Sequence, residues 1–313
     1  MKGLELSERF YCEYGAPMLD GQFADIAPSL AVGLFGSGSE CFGYDDGLSP
    51  DHDFEPGFCI VLPDEDIIDR KTEFALERAY SKLPREFMGY KRCILNPAGG
   101  NRHGVIRMRS FFLNKTGSPD GILPTLAWFS VPEQALAEAT NGRIFRDDSG
   151  KFTAARQRLT YLPDDVRLKK LAGHLLLMGQ AGQYNYPRSV ARGDTAAAQL
   201  AIIEFAKSAI HAIFLLNSRY MPYYKWSFRA LSELPTLSPL HSPLEYLISS
   251  GNKGSEAKAK QSTADEICTA IISAARGQGL TDFAGDAAEG HAFAINRRIA
   301  DEEIRNFHIL YGV

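Results

Sequence analysis

Two short stretches carry residue types that can do chemistry together. Gly36-Ser37-Gly38-Ser39 follows the apolar run "SLAVGLF", and Asp51-His52-Asp53 precedes a second apolar run, "FCIVLP". In an extended chain successive side chains alternate between faces, so Asp51 and Asp53 are expected to share one face while His52 points away. Two carboxylates without a partner repel, and one is driven to stay protonated; a divalent cation relieves both costs. Magnesium, or manganese in its place, is the expected ion. Magnesium prefers oxygen ligands and is commonly held by one or two carboxylates together with substrate phosphates. The glycine-serine stretch supplies the complementary half: Gly36 lets the backbone approach phosphate oxygens, and Ser37 and Ser39 add hydroxyl donors beside the amides of a turn expected to open a helix.

Other readings of these residues are weaker. His52-Asp53 alone matches the centre of a metal phosphohydrolase site, but His103, His174 and His211 show no supporting spacing, so His52 is read as structural. Glu55 continues the alternation from Asp53 but precedes Pro56. Asp45, Asp46, Asp147 and Asp148 read as loop and turn acids.

The elements that must position these groups change character near residue 160. Before it, "SLAVGLF", "FCIVLP", "GVIRMRSFF" and "GRIFRD" read as short strands, alternating with helical stretches over 67–83 and 132–140. After it the pattern is helical, over 164–179, 194–218, 243–249, 262–277 and about 300–310, with Asp194 as an N-cap and 251–260 as a solvated loop. The expected fold class is α+β: a mixed sheet with helices in a catalytic domain, residues 1–160, followed by an all-α helical bundle, residues 161–313, that closes over the nucleotide cleft.

Composition narrows the function classes. With 34 basic against 38 acidic residues in 313, the formal charge is −4, which provides no general footprint for nucleic acid or an anionic membrane. The N-terminal "MKGLELSERFYCEYG" is charged where a secretory leader is apolar. The longest apolar stretch, 209–216 with His211 inside it, is too short to cross a bilayer. The expected location is the cytoplasm, with no membrane partner. Five cysteines without a C-x-x-C pairing favour neither a disulfide framework nor a zinc site, and most are expected to be packing residues.

Three groups stand out in the helical half. Tyr223, Tyr224 and Trp226 present flat surfaces for a base and Lys225 a point charge for a phosphate; an aromatic hinge between helices accounts for the same residues. Gln183, Tyr184, Asn185, Arg188 and Arg192 read as one polar loop before a helix, suited to a polar ligand or to a solvated connection. Glu204, Lys207, Ser208 and His211 share one helix face, which is expected to meet water.

Taken in order, the chain shows an apolar strand, Gly36-Ser37, a thirteen-residue spacer, Asp51-x-Asp53 and another apolar strand. This resembles the signature of the nucleotidyltransferase superfamily, which includes the aminoglycoside nucleotidyltransferases and polymerase β-like enzymes. "FGYDDGLSPDHDFEPGFCIVL", "NGRIFRDDSGKFTAAR", "GQAGQYNYPRSVARGD" and "FLLNSRYMPYYKWSFRAL" extend the likeness over roughly residues 20 to 234, toward a bacterial branch labelled as a domain of unknown function. The resemblance implies that Gly36 and Ser37 bind a nucleoside triphosphate, that Asp51 and Asp53 hold the metal, and that Lys225 contacts the triphosphate; Arg188, from the polar loop, is expected to close on the phosphates beside it. The implied reaction moves a nucleoside monophosphate, AMP from ATP, onto a hydroxyl acceptor. A small hydroxylated compound, a protein side chain and an RNA end all fit, and the acidic net charge weighs against RNA. Where many members carry a third acid on a neighbouring strand, "HGVIRMRSFF" presents Arg107 and Arg109. That departure leaves a second expectation, a nucleotide-binding sensor without turnover.

Overall fold

The computed structural model describes residues 1–47, 54–92 and 102–313. Asp51, His52, Asp53 and Cys93 lie outside the described residues.

The chain divides into two compact units, and residues 1–124 with 131–160 form the first. Its N-terminal helix α1 (Gly3–Phe10) buries Leu6 and Phe10, which lie on one face at the i, i+4 spacing. There follow α2 (Ala16–Gln22), β1 (Ala31–Leu34), α3 (Ser39–Phe42), β2 (Cys59–Leu62) and α4 (Arg70–Ser81). Asp69 caps α4 by accepting from the Thr72 amide at 2.8 Å. A small hairpin, β3 (Glu86–Phe87) and β4 (Tyr90–Lys91), precedes β5 (Gly104–Arg107), α5 (Met108–Thr116), α6 (Glu133–Thr140), β6 (Arg143–Asp147) and α7 (Lys151–Arg158).

The main sheet is mixed, in the order β5-β2-β1-β6. β1 runs antiparallel to both β2 and β6, while β2 and β5 are parallel. Val32 lies opposite Ile60, so these two and Leu62 share the sheet face that packs with Leu6, Phe10, Phe58 and Leu76 in the core. Phe35, Phe112 and Phe152 form a separate aromatic group, with Phe35 and Phe152 centroids 4.9 Å apart.

Two sequence expectations change in this unit. The strand expected over "GVIRMRSFF" ends at Arg107, and Arg109 belongs to α5. Arg107 is held at the junction: its guanidinium donates to the carbonyls of Pro63 and Ile68, both at 2.7 Å, and to Glu73 Oε2. Phe112 and Thr116 then continue inward at helical spacing. Glu55 lies in irregular chain before β2 rather than on an extended strand, with Oε1 3.1 Å from His103 Nδ1.

Residues 125–130 and 161–313 form the second unit. Its helices are α8 (Asp164–Met178), α9 (Tyr186–Ala191), α10 (Thr195–Leu216), α11 (Tyr224–Ser232), α12 (His241–Ser249), α13 (Gly254–Gly277), α14 (Ala288–Asn296) and α15 (Glu302–Asn306). Asp194 caps α10, accepting from the Ala197 amide at 2.9 Å. α10 is longer than its apolar tail suggests, and at 22 residues has the length and composition of a membrane span. Its inner face, Ile202, Phe205, Ala209 and Ile213, is fully enclosed, and α8, α9, α12 and α13 pack around it. It is the core helix of this unit.

Here too the structure corrects the sequence reading. Residues 183–191 are helical: α8 passes through wide π-turns at Gly179–Asn185 directly into α9, which accommodate Pro187 and its missing N–H, and Arg192 lies in the turn that follows. The expected solvated loop at 251–260 is already helix from Gly254, and Lys260 within it is fully buried. Ser208 is buried, and the His211 ring stacks on His174 with centroids 4.6 Å apart, so only part of that helix face meets water. The molecule is thus a mixed α/β chain with a small mixed sheet and a helical C-terminal region.

Candidate active site at the glycine-serine turn

After β1 the chain leaves the sheet through Phe35-Gly36-Ser37-Gly38 and enters α3. Gly36 has φ +101° and Gly38 +127°, a region that side chains disfavour, which is why glycine occupies both. A Cβ at Gly38 would also lie 2.3 Å from Glu40 Oε1. The helix expected after the turn is a single turn of four residues. It is too short to supply an appreciable dipole, so anion binding here rests on individual donors.

The turn is held from a distant part of the chain. The Gly36 N–H donates to Asn141 Oδ1 and the Asn141 amide donates back to Gly36 O, both at 2.8 Å. Arg156 in turn donates to the carbonyls of Ala139, at 3.0 Å, and Asn141. Burial pulls the Arg156 guanidinium down to about 10, so this cation is enclosed as a structural brace. Gly142 must be glycine, since a Cβ there would sit 2.1 Å from Leu34 O.

A polar triad lies on the outer side of the turn. Ser37 Oγ donates to Glu138 Oε2 at 2.9 Å, Lys115 Nζ donates to Ser37 Oγ at 3.2 Å, and Lys115 pairs directly with Glu138. Beside it opens a cavity of about 360 Å³, with Gly36, Ser37, Cys59, Arg102, Asn114 and Lys115 in its wall. Pockets of about 300–1,000 Å³ hold small-molecule ligands. Arg102 lies 3.9 Å from Glu40, too far for a good hydrogen bond. Glu40 is buried, its Oε1 has no hydrogen-bond partner, and burial pushes its carboxyl up against the lowering pull of its backbone, His103 and Arg102. Burial also pushes the Cys59 thiol up to about 12, which rules it out as a thiolate nucleophile at neutral pH.

Of the residues singled out by sequence, Gly36 and Ser37 reach the cavity wall, while Ser39 begins α3 outside it. The expected metal ligands Asp51 and Asp53 lie outside the described residues. Among the described residues no three His, Cys, Asp or Glu side chains group as a metal centre. Asp45 is buried and accepts from the Gly3 amide at 2.9 Å, so it pins α1 and is not a solvated loop acid. Asp147 organises its turn by accepting from the Thr153 amide at 2.8 Å. Cys41, Cys59 and Cys268 are buried, but Cys12 is exposed and does not pack.

In the second unit Arg188 is exposed, with its guanidinium 4.7 Å from the Tyr184 ring centroid. Lys225 Nζ lies 5.1 Å from the Trp226 ring centroid, and the Tyr223 and Tyr224 ring centroids are 4.4 Å apart with the rings tilted by 50°. Tyr224 is 71% exposed, whereas Trp226 is half-buried. Sequence reasoning missed Lys115, Glu138, Asn141 and Arg102. Only Asn141-Gly142 carried a local signal, a turn dipeptide before a strand.

Residues 128–227 match the model of a domain of unknown function, DUF4037. No curated protein and no solved structure matches the chain.

Proposed function

We propose that the first unit binds a nucleoside triphosphate at the Gly36-Ser37 turn and transfers its nucleoside monophosphate to a hydroxyl acceptor, releasing pyrophosphate, as a cytoplasmic enzyme of the nucleotidyltransferase type. The observation that carries this reading is the pair of positive-φ glycines directly after a central strand, held rigid by Asn141 and opening on a cavity that contains Lys115 and Arg102. In the free protein these cations face Glu138 and Glu40, so an entering phosphate must compete for them. Lys115 sits on the Ser37 hydroxyl and shifts most directly from carboxylate to phosphate. The residues that would hold magnesium are Asp51 and Asp53; the ion, when bound, would supply charge neutralisation on the transferring phosphate.

A second reading, a nucleotide sensor without turnover, is favoured by one observation. None of the described residues lining the cavity is acidic, so none of them is a carboxylate base for the acceptor hydroxyl.

Thermal melting with ATP and magnesium tests the binding. ATP with magnesium should raise the melting temperature, and Asp51→Asn combined with Asp53→Asn should remove the metal-dependent part of the rise. An unchanged shift in that double variant ends the proposal. Pyrophosphate release across an acceptor panel then separates enzyme from sensor: nucleotide bound and left intact with every acceptor selects the sensor.

A further inference from the structure

A second cavity, of about 220 Å³, lies among residues of the second unit, where the start of α8 meets the end of α10. Its wall includes Tyr161, Asp164, Arg167, Ser218, Arg219 and Tyr220, with leucine side chains completing it. The turn that presents the last three is held under strain. Ser218 has φ +51°, a left-handed conformation that costs a non-glycine residue on the order of 1 kcal/mol. It is fixed by backbone bonds from Ser218 to Leu215 O, 3.1 Å, and from Arg219 to Phe214 O, 3.0 Å. Asn217 adds a lock: its Oδ1 accepts from both the amide and the hydroxyl of Thr236, at 3.0 and 2.9 Å.

The charge in this cavity is unbalanced. Arg167 is largely enclosed and reaches Asp164 at 3.5 Å, but the Asp164 side chain is 88% exposed and so compensates weakly. Arg219 is exposed and enters none of the ion pairs found among the described residues. Two guanidinium groups therefore face one solvated carboxylate, an excess of one positive charge. The remaining wall is phenol ring and aliphatic surface. The volume falls below the roughly 300 Å³ at which drug-sized pockets begin, which suits a ligand smaller than a nucleotide.

We propose that this cavity binds a small aromatic carboxylate, its carboxylate on the Arg167 and Arg219 guanidinium groups and its ring against the tyrosines and leucines. One excess charge matches a monoanion better than a dianionic phosphate ester, and the planar guanidinium fork matches a carboxylate in two-point contact. All the lining residues fall within 128–227, the segment that matches the family model, whereas Gly36, Ser37, Asp51 and Asp53 fall outside it. The site is independent of the nucleotide reading.

Calorimetric titration of the full chain with benzoate, benzamide and phenyl phosphate tests the proposal. Benzoate should bind saturably, with benzamide roughly tenfold weaker because it lacks the charge. Arg219→Gln should weaken benzoate by about tenfold at an unchanged melting temperature, since the residue is exposed. Arg167→Gln should do the same, and if it also lowers the melting temperature, Arg219→Gln alone decides. Equal benzoate affinity in Arg219→Gln and wild type, or no saturable binding up to about 10 mM, overturns the site. Phenyl phosphate binding more tightly than benzoate, or ATP displacing benzoate, overturns the assigned ligand class.

Discussion

Lys115 in the first unit and Lys169 in the second are both enclosed lysines, yet they meet opposite kinds of partner. Lys169 is fully buried and donates to Asn296 Oδ1 at 2.9 Å, Arg305 O at 3.3 Å and Phe307 O at 2.7 Å. All three are neutral oxygens, and together they use the three N–H bonds an ammonium has. Lys260 repeats the arrangement with Gln199, Ser250 and Asn252. Burial pulls both ammonium groups below the usual lysine range. Lys115 instead meets a carboxylate and a hydroxyl at a cavity wall. The difference separates two uses of a buried cation. Three neutral acceptors tie loop and helix-end carbonyls into one knot and leave nothing to exchange. A single carboxylate is a partner that another anion can replace.

The largest effect expected from this contrast is on stability. Lys169→Met keeps most of the stem and removes the donor, leaving Asn296 Oδ1 and the Phe307 carbonyl without it in the interior, while Arg305 O keeps the Asn296 amide at 3.1 Å. Urea unfolding should show a loss of about 3 kcal/mol, the scale of two buried acceptors losing one shared charged donor. Lys115→Met should cost about 1 kcal/mol or less, because Ser37 and Glu138 still bond to each other. Similar losses for the two variants would break the distinction.

A smaller effect sharpens the same contrast from the acid side. Glu40 is a buried carboxyl whose nearest cation, Arg102, stands off at 3.9 Å, with His103 and Asp45 also acting on it. Its folded-state pKa is raised, so the folded protein holds the proton more tightly than the unfolded chain. Stability contributed by the protonated form is complete below the ordinary carboxylate range and is lost as pH rises through the raised value. Glu40→Gln removes that loss. The variant should match wild type in urea near pH 4 and exceed it by about 1–2 kcal/mol at pH 8. A constant difference across pH would mean that the Glu40 pKa is the same in the folded and unfolded chain, and a wild type that gains on the variant as pH rises would mean that Glu40 is stabilised as the anion.

These residues also mark where sequence reading stops. β1, β2 and β6 were legible because each is an apolar or β-rich run bounded by turn residues, and α10 because Asp194 and a long apolar face announce it. The strand expected through Arg109 failed because "RMRSFF" satisfies both periodicities, and the capture of Arg107 by Glu73 and two carbonyls, a tertiary contact, decides the break. α1 carries a local signal as well, since Leu6 and Phe10 share a helical face within a charged segment. Gly36 and Ser37 were visible since glycine at a strand end is a local signal. Lys115 and Asn141 were not, because they reach the turn from 78 and 105 residues away. His211 looked solvent-facing on its own helix, and only the stacking His174 from another helix shows otherwise.

The smallest stability effect belongs to Lys225, and it gives the most discriminating binding experiment. Its ammonium is exposed and lies over Trp226, so Lys225→Ala should change unfolding free energy by no more than about 0.5 kcal/mol. Both Lys225 and Lys115 are candidates to neutralise a triphosphate, the first from the sequence resemblance and the second from its place beside Ser37. A lysine that meets phosphate must affect ATP far more than adenosine, because the nucleoside has no charge for the ammonium to meet. Measured ATP and adenosine affinities for the two alanine variants therefore distinguish the candidates. Lys115→Ala should weaken ATP by about tenfold and leave adenosine unchanged, the size of one charge-assisted contact. If ATP affinity falls only in Lys225→Ala, the phosphates are met by the exposed lysine and the Ser37–Lys115–Glu138 triad is a structural clasp. If neither variant moves ATP, the glycine-serine turn does not bind a triphosphate through these cations, and the contrast between exchangeable and architectural lysines loses its functional half.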